Sequence, residues 1–327
     1  MILCVAGSPS IDKLFEVQRL VPGTIHRPTS FLQVPGGKGL NVARAAAALG
    51  TEVVAAGVLA GPAGKWIEEA LRTDGVVGRF VWANGQTRSA LSVLDLESGA
   101  MTEFYETAGA VGSEAWSELE ETVTALLPQA SWCALSGSLP PDAPTAGYAT
   151  IIAEARKSGI RTAVDVRAAP LVAALHAQPD LVKINRYEAE ELLGSAVPGV
   201  EAAKHAARQI RARAGGDGHA AAVTLGVEGA VLIDADGTAW HGRSDVEGRY
   251  PVGSGDAFLA GLLAALGQGE SWPKSLALAV GAAAANAEQP GAGRLDPERA
   301  AQLGAGAEAL LRDRSLANRS RRLPLSG

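Results

Sequence analysis

Short apolar runs alternate with stretches of helical periodicity along most of the chain. Ile2–Ala6 and residues 53–58 are almost wholly apolar, and they predict strands that are buried on both faces. Because helix-like segments separate these runs, the pattern predicts an α/β fold with a mostly parallel central sheet. Further strands of the same kind are predicted at residues 132–135, 162–166, 181–184 and 221–225.

Glycines mark the ends of the helix-like segments. Residues 39–49 read GLNVARAAAAL, a helical pattern that Gly50 follows directly. Glycine adopts the left-handed conformation that ends many helices without steric strain, so it indicates where the helix stops. The same signal predicts helices over residues 65–74 and 146–158, which end at Gly75 and Gly159.

Two segments interrupt the alternation of strands and helices. Residues 13–34 and 86–106 alternate polar and apolar side chains, with a turn near residues 97–99, as in β-hairpins. We expect these strands to form a small β-sheet lid on the α/β body. Body and lid are predicted to form one domain over residues 1–311, followed by a flexible basic tail at the arginine-rich residues 312–327.

Composition and charge narrow the class of protein. The formal net charge is -6, from 29 basic and 35 acidic side chains, which does not favour binding to nucleic acid or to an anionic membrane. The N-terminus lacks the pattern of a signal peptide, and residues 276–287 are shorter than the roughly 20 apolar residues that cross a bilayer. Cys4 and Cys133 lie in apolar runs and are expected to be buried, reduced thiols. These features predict a cytoplasmic protein.

The strongest motif is residues 252–261, which read VGSGDAFLAG. Gly253 and Gly255 allow the backbone to approach an anion, and a helix begins at once, so free N–H groups and the positive end of the helix dipole lie there. Asp256 falls in the first turn, where its carboxylate could accept a hydroxyl proton during phosphoryl transfer. A simple turn with an N-cap aspartate explains these residues equally well. The motif is not a Walker A loop, because no Lys-Ser/Thr pair follows.

A second glycine-rich motif, GGKGLNVA at residues 36–43, again precedes a helix. Lys38 could pair with a ligand anion, and Asn41, one turn into the helix, could bind hydroxyl groups. A flexible loop with a solvated lysine is the alternative.

A third motif, KINRYE at residues 183–188, follows a strand directly. Asn185 and Glu188 are three residues apart, so both could face a hydrated magnesium ion. From the residues alone, an Asn cap with Glu at the third helical position is the favoured interpretation. The glycine-bearing residues 224–229 and 281–293 are weaker candidates for contact with an adenine or a phosphate.

In this order, the segments resemble the ribokinase-like (PfkB) carbohydrate kinases, and the resemblance covers about residues 1–311. The regions 36–43 and 253–261 are specific in combination. Segments at residues 8–13, 36–44, 136–141 and 251–256 look most similar to the hexose-phosphate kinase subgroup of 1-phosphofructokinase and tagatose-6-phosphate kinase. Departures from the subgroup pattern are Ser8, residues 165–169, Ile184 and the pair Arg249-Tyr250.

The resemblance implies a three-layer sandwich with a β-sheet lid that excludes water, and an enzyme that uses ATP and Mg²⁺. It implies phosphorylation of fructose 1-phosphate, tagatose 6-phosphate or fructose 6-phosphate to a bisphosphate. Separately, the exposed edges of the lid sheet could pair with a second copy to form a homodimer. The resemblance implies that Asp256 is the catalytic base and that Gly253, Ser254 and Gly255 form the anion hole. Substrate contacts fall on Asp12, Arg27, Gly36, Gly37, Lys38, Asn41, Arg88 and Ser136, among which Lys38, Arg27 and Arg88 are candidates for the substrate phosphate. Nucleotide contacts fall on Asn185, Thr224, Gly226, Gly229 and Asn286, and magnesium contacts, through water, on Glu188 and Asn185.

Two other functions remain open at this point. A kinase for a neutral sugar or nucleoside would leave Lys38, Arg27 and Arg88 in ion pairs or in solvent. A non-catalytic sugar-phosphate sensor is less consistent with the intact GSGD segment, because a binding protein has no need of the base Asp256.

Overall fold

The computed structural model describes residues 1–307. Nine strands form a central sheet in the order β13-β12-β11-β10-β9-β8-β1-β4-β5, and four form a second sheet in the order β3-β2-β6-β7. Pairing within the central sheet is parallel except for the antiparallel pairs β11–β12 and β12–β13 at one edge. The strands are β1 (Ile2–Ala6), β2 (Ser10–Val17), β3 (Ser30–Gly36), β4 (Val53–Ala60), β5 (Val77–Ala83), β6 (Arg88–Asp95), β7 (Met101–Tyr105), β8 (Trp132–Ser136), β9 (Arg161–Asp165), β10 (Leu181–Asn185), β11 (Ala220–Thr224), β12 (Ala230–Ile233) and β13 (Ala239–Gly242).

Helices cover both faces of the central sheet. Alternate residues of β1 show why: Ile2 and Cys4 belong to the apolar core on one side, and Leu3 and Val5 to the core on the other. The predicted three-layer α/β architecture is therefore confirmed. The helices are α1 (Lys38–Ala48), α2 (Gly61–Thr73), α3 (Ser113–Leu126), α4 (Gly147–Lys157), α5 (Ala168–His176), α6 (Arg186–Leu193), α7 (Val200–Arg213), α8 (Ser254–Gly267), α9 (Trp272–Ala287) and a further helix at residues 297–307.

The second sheet is the predicted lid. Hairpins β2–β3 and β6–β7 are antiparallel, and they are joined by the parallel pairing of β2 with β6. The strands extend slightly beyond the predicted segments, because β2 begins at Ser10 and β3 ends at Gly36. Asp12, Leu14 and Glu16 alternate along β2 and therefore share one face of this sheet.

The carboxyl ends of the parallel strands define one edge of the molecule. Ser136, Asp165, Asn185 and Thr224 are the last residues of four neighbouring strands at this edge, so the sheet brings them together. Within residues 1–307, no helix is both long and apolar enough to span a membrane. Both cysteines are buried free thiols, as predicted. The predicted end of the domain at residue 311 and the basic tail at 312–327 lie outside the described residues.

Candidate functional site

The first element of the site is the start of α8. Gly253 caps this helix with φ +84°, a conformation that side chains other than glycine's rarely adopt. A Cβ atom there would also lie 2.7 Å from Ala292 Cα, so the position admits glycine alone. Ser254, Gly255 and Asp256 form the first turn. The N–H groups of this turn have no partner within the helix and lie at the positive end of its dipole. The turn can therefore hold an anion.

Asn286 on α9 supports this turn from behind. Its Nδ2 donates to Val252 O at 3.0 Å and to Ser254 Oγ at 3.3 Å, and its Oδ1 accepts from Gly293 N at 2.9 Å. The side chain is completely buried. These hydrogen bonds fix the loop before α8, and the contact of Asn286 with the nucleotide stays a prediction.

Asp256 is a buried carboxylate with a single side-chain donor among the described residues. Asn41 on α1 donates from Nδ2 to Asp256 Oδ2 at 2.9 Å. Burial raises the pKa of Asp256 to about 7, and the charge of Asp165 acts in the same direction, while Lys183, Lys38 and Asn41 oppose it. A carboxylate with a pKa near neutrality suits a general base.

A cluster of four charges, of which Lys38 is partly exposed and the others are buried, adjoins this base. Asp165 at the end of β9 accepts from Lys38 Nζ at 2.7 Å and from Lys183 Nζ at 2.6 Å. Lys38 Nζ also lies 3.0 Å from Glu188 Oε1. Burial acts to raise the pKa of Asp165, but the two ammonium groups outweigh it and lower the pKa below its ordinary value. The pKa of Lys38 is raised because Asp165 and Glu188 outweigh the opposing effect of its burial.

Sequence analysis missed Asp165 and Lys183 as members of the site. Lys183 is 3% exposed and Asp165 0% exposed, although both types of side chain are almost never buried unless they are paired. Lys183 Nζ lies 2.8 Å from where a Cβ atom of Gly255 would be, so its charge lies beside the anion-holding turn. The available signal was a lysine inside the apolar strand LVKIN, whose neighbouring strand ends in an aspartate.

Asn185 and Glu188 form the capping box that the residues alone favoured. Asn185 Oδ1 accepts from Glu188 N at 3.0 Å, and Glu188 Oε2 accepts from Asn185 N at 2.9 Å. No group of three or more acidic, histidine or cysteine side chains within residues 1–307 could hold a metal ion. These donors fit only a magnesium ion that keeps most of its waters and is bound largely by phosphates, with Glu188 contributing charge.

Asp12 lies at the lid side of the site. Its carboxyl group packs directly on Gly36, where a Cβ atom would overlap it. Ser10 Oγ donates to Asp12 Oδ1 at 2.6 Å, and Gly37 N lies 3.4 Å from Oδ2. Burial raises the pKa of Asp12. The groove beside it, about 430 Å³, is lined by Asp12, Leu14, Leu32, Tyr105, Tyr250 and Val252 among others.

The three cations predicted to hold the substrate phosphate have different surroundings. Arg88 donates from Nε to Ser8 Oγ at 2.9 Å and from Nη2 to Ser8 O at 3.2 Å, and it lines a second cavity of about 480 Å³. No carboxylate within the described residues pairs with it. Lys38 is instead paired with Asp165 and Glu188, and Arg27 lies exposed between β2 and β3. Binding of the substrate phosphate by these three cations stays a prediction.

Two buried polar atoms at this edge lack a partner within residues 1–307. They are Asn41 Oδ1 and Ser136 Oγ. Ser136 is the last residue of β8, directly opposite Asp165 in the sheet. Because buried polar groups are almost always hydrogen-bonded, these two atoms are suited to hydroxyl groups of a ligand.

The end of β11 and the loop after it carry three further predicted nucleotide contacts. Thr224 ends the strand half-buried, and Gly226 and Gly229 adopt φ of +63° and +88° in the turn that follows. Arg186 Nη2 donates to Leu225 O at 3.2 Å, which ties α6 to this turn. Gly226 is exposed next to the end of β11, and its contact with a nucleotide stays a prediction.

Comparisons with known proteins agree with this geometry. The family described as pfkB family carbohydrate kinase matches residues 3–299. 1-Phosphofructokinase of Xanthomonas campestris pv. campestris is 33% identical over 269 residues, 81% of this chain and 83% of that protein. Tagatose-6-phosphate kinase of Staphylococcus epidermidis is 30% identical over 81% of this chain and 85% of that protein. Phosphofructokinase-2 from Escherichia coli, crystallised in complex with substrates and products, superposes with a TM-score of 0.86 at 27% identity, covering 94% of this chain and 99% of that one.

Proposed function

Because the chain belongs to the PfkB family of carbohydrate kinases, we propose that it transfers a phosphoryl group from ATP to a hydroxyl of a ketohexose monophosphate. The product is the bisphosphate. The relatives named 1-phosphofructokinase and tagatose-6-phosphate kinase support this substrate class. The observation that carries the proposal is the buried Asp256 carboxylate, with a pKa of about 7, in the first turn of α8 at the positive end of the helix dipole.

Asp256 acts as the general base. Its carboxylate accepts the proton of the acceptor hydroxyl while that oxygen forms a bond to phosphorus and the bond from phosphorus to the ADP oxygen breaks. Asn41 holds the carboxylate in place through its 2.9 Å hydrogen bond. The proton then resides on Asp256, whose raised pKa makes the protonated form accessible near neutral pH.

Backbone amides and lysine side chains stabilise the negative charge of the phosphoryl group during its transfer. ATP supplies the phosphoryl group. The amides of Gly253 and Gly255 and the ammonium of Lys183, which lies beside Gly255, would stabilise the negative charge of that group. Lys38 pairs with Glu188 and Asp165 at the same edge, and Asn185 and Glu188 would hold Mg²⁺ through its waters.

The acceptor sugar lies between this edge and the lid. Asp12, Asn41 and Ser136 provide acceptors and donors for its hydroxyl groups, and two of these side chains have an unsatisfied atom. Arg88 is the candidate for the phosphate that the substrate already carries, because within residues 1–307 its guanidinium is bound only by Ser8 oxygens and lies near Asp12 at the sugar side of the site.

A kinase for a neutral sugar is the second candidate. The pairing of Lys38 with two carboxylates and the exposure of Arg27 favour it, because both were expected of that function. A non-catalytic sensor is disfavoured, since a carboxylate buried at a raised pKa destabilises a protein that does not use it.

The lid carries a surface suited to a second copy of the chain. Phe31 and Phe104 are 58% and 57% exposed, and the ring of Phe15 packs edge-on to that of Phe31 at 5.4 Å. Exposed aromatic side chains of this kind are enriched in interfaces. Light scattering should give a dimer mass for the wild type and a lower mass for Phe31→Ser. A monomeric wild type would contradict this assembly.

An ATP-consumption assay with Mg²⁺ tests the function. The acceptors are fructose 1-phosphate, fructose 6-phosphate, tagatose 6-phosphate, fructose, ribose and adenosine. Preference for one phosphorylated ketose supports the proposal, and preference for a neutral acceptor replaces it with the second candidate. Asp256→Asn serves as the inactive control, and no turnover by the wild type with any acceptor would contradict both.

A further inference from the structure

The loop that carries the anion-holding turn also contacts the lid. Residues 243–252 connect β13 to α8 without regular structure, and Tyr250 lies near the end of this segment. Its hydroxyl donates to Glu16 Oε1 on β2 at 2.7 Å, a contact between residues 234 apart in the chain. The hydrogen bond therefore joins the lid directly to the loop that ends at Gly253.

Tyr250 is held rigidly on the body side. Its backbone N–H donates to Ala287 O at 2.9 Å, at the end of α9. Gly248, two residues earlier, packs so closely on Ala287 that a Cβ atom would overlap that residue's backbone. Two residues later, Val252 O accepts from Asn286. The backbone at Tyr250 and at Val252 is therefore hydrogen-bonded to α9, so the Tyr250 side chain links the lid to the body of the protein.

Glu16 is placed to hold the outer part of the lid. It shares the lid face with Asp12, about 13 Å further along β2 at the usual strand rise. The inner end of β2 is held near the body at Asp12, whose carboxylate contacts Gly37. The groove between these two points is lined by Leu14, Val252 and Tyr250 itself.

We propose that the Tyr250–Glu16 hydrogen bond is a latch that holds the lid closed over the sugar, so that Tyr250 is a positioning residue for phosphoryl transfer. The proposal rests on the function proposed above. Loss of the latch frees the outer end of β2, which admits water to the groove and weakens the hold of Asp12 on the sugar. It leaves the charges around Asp256 unchanged, because neither latch residue contacts them.

Tyr250→Phe tests the latch, because it removes the hydroxyl and keeps the ring. Amide hydrogen exchange in β2 and β3 should become about fivefold faster, which corresponds to one lost hydrogen bond, while β1 and β8 are unchanged. The KM for the sugar should rise by a similar factor with kcat almost constant. The rate of ATP hydrolysis in the absence of sugar should also increase, relative to the rate of phosphoryl transfer to the sugar.

Three further variants serve as controls. Glu16→Gln keeps an acceptor oxygen and should behave like the wild type, whereas Glu16→Ala should reproduce Tyr250→Phe. The double variant Tyr250→Phe/Glu16→Ala should be no more impaired than either single variant. Tyr105→Phe removes a tyrosine–glutamate hydrogen bond that lies within the lid, from Tyr105 to Glu103 at 2.6 Å, and should leave exchange in β2 unchanged.

The outcomes separate the latch from the function. Unchanged exchange in Tyr250→Phe, or equal acceleration in Tyr105→Phe, would overturn the latch. If the wild type phosphorylates none of the acceptors, the proposed function fails, and the exchange measurement still decides whether Tyr250 holds the lid.

Discussion

Asp256→Asn should separate activity from stability in this enzyme. The substitution keeps the size of the side chain and an oxygen for Asn41 to bind, but it removes the proton acceptor. The turnover number should fall by about 10³-fold, within the range that general-base catalysis contributes. For the wild type, kcat/KM should rise with pH through about 7, because the ionised carboxylate is the active form.

The same substitution should stabilise the fold above neutral pH. The pKa of Asp256 is raised from 3.8 to about 7, so the folded state holds this proton more tightly than the unfolded state. The stabilisation from the protonated form is complete below pH 3.8 and is lost as pH rises to about 7. At pH 8, burial of the ionised Asp256 carboxylate lowers the free energy of unfolding by at most about 4 kcal/mol. An asparagine side chain carries no charge and does not have this cost.

Urea unfolding of both proteins at pH 5 and pH 8 measures the effect. We expect the Asp256→Asn variant to be more stable than the wild type at pH 8, by a margin that narrows at pH 5. Asp165→Asn is the matched control with the opposite sign, because the pKa of Asp165 is lowered and its loss leaves Lys38 and Lys183 short of a counter-charge. Near-normal turnover of Asp256→Asn, or a stability difference that does not change with pH, would refute the reasoning.

Two further substitutions test the substrate side. Arg88→Ala should raise the KM for the phosphorylated sugar by roughly tenfold or more and that for its unphosphorylated analogue much less, since a charge-assisted hydrogen bond contributes about 1.5–3 kcal/mol; equal losses would show that Arg88 does not bind the phosphate. Gly36→Ala should displace the Asp12 carboxyl and raise the KM for the sugar while the KM for ATP stays constant, because a Cβ atom there overlaps Asp12; unchanged sugar kinetics would contradict the contact.

Local patterns were sufficient for the architecture. Ile2–Ala6 is apolar throughout because both faces of β1 are buried, and continuous apolar runs of this kind distinguish parallel strands from the alternating strands of the lid. The GSGD segment located the start of α8 and Asp256, because glycine conformations and helix ends depend on neighbouring residues. These signals are short-range, so they could be recognised before any long-range contact was known.

The electrostatics of the site depended on the tertiary structure. Lys38 was predicted to hold a substrate phosphate, yet it lies between Asp165 and Glu188, which are 127 and 150 positions away. The hydrogen bond from Asn286 on α9 to Val252 O, in the loop before α8, could not be read from the sequence. The Tyr250–Glu16 contact spans 234 positions. Coulomb interactions and hydrogen bonds act over a few ångströms, so distant residues become partners only when the sheet, lid and helices pack.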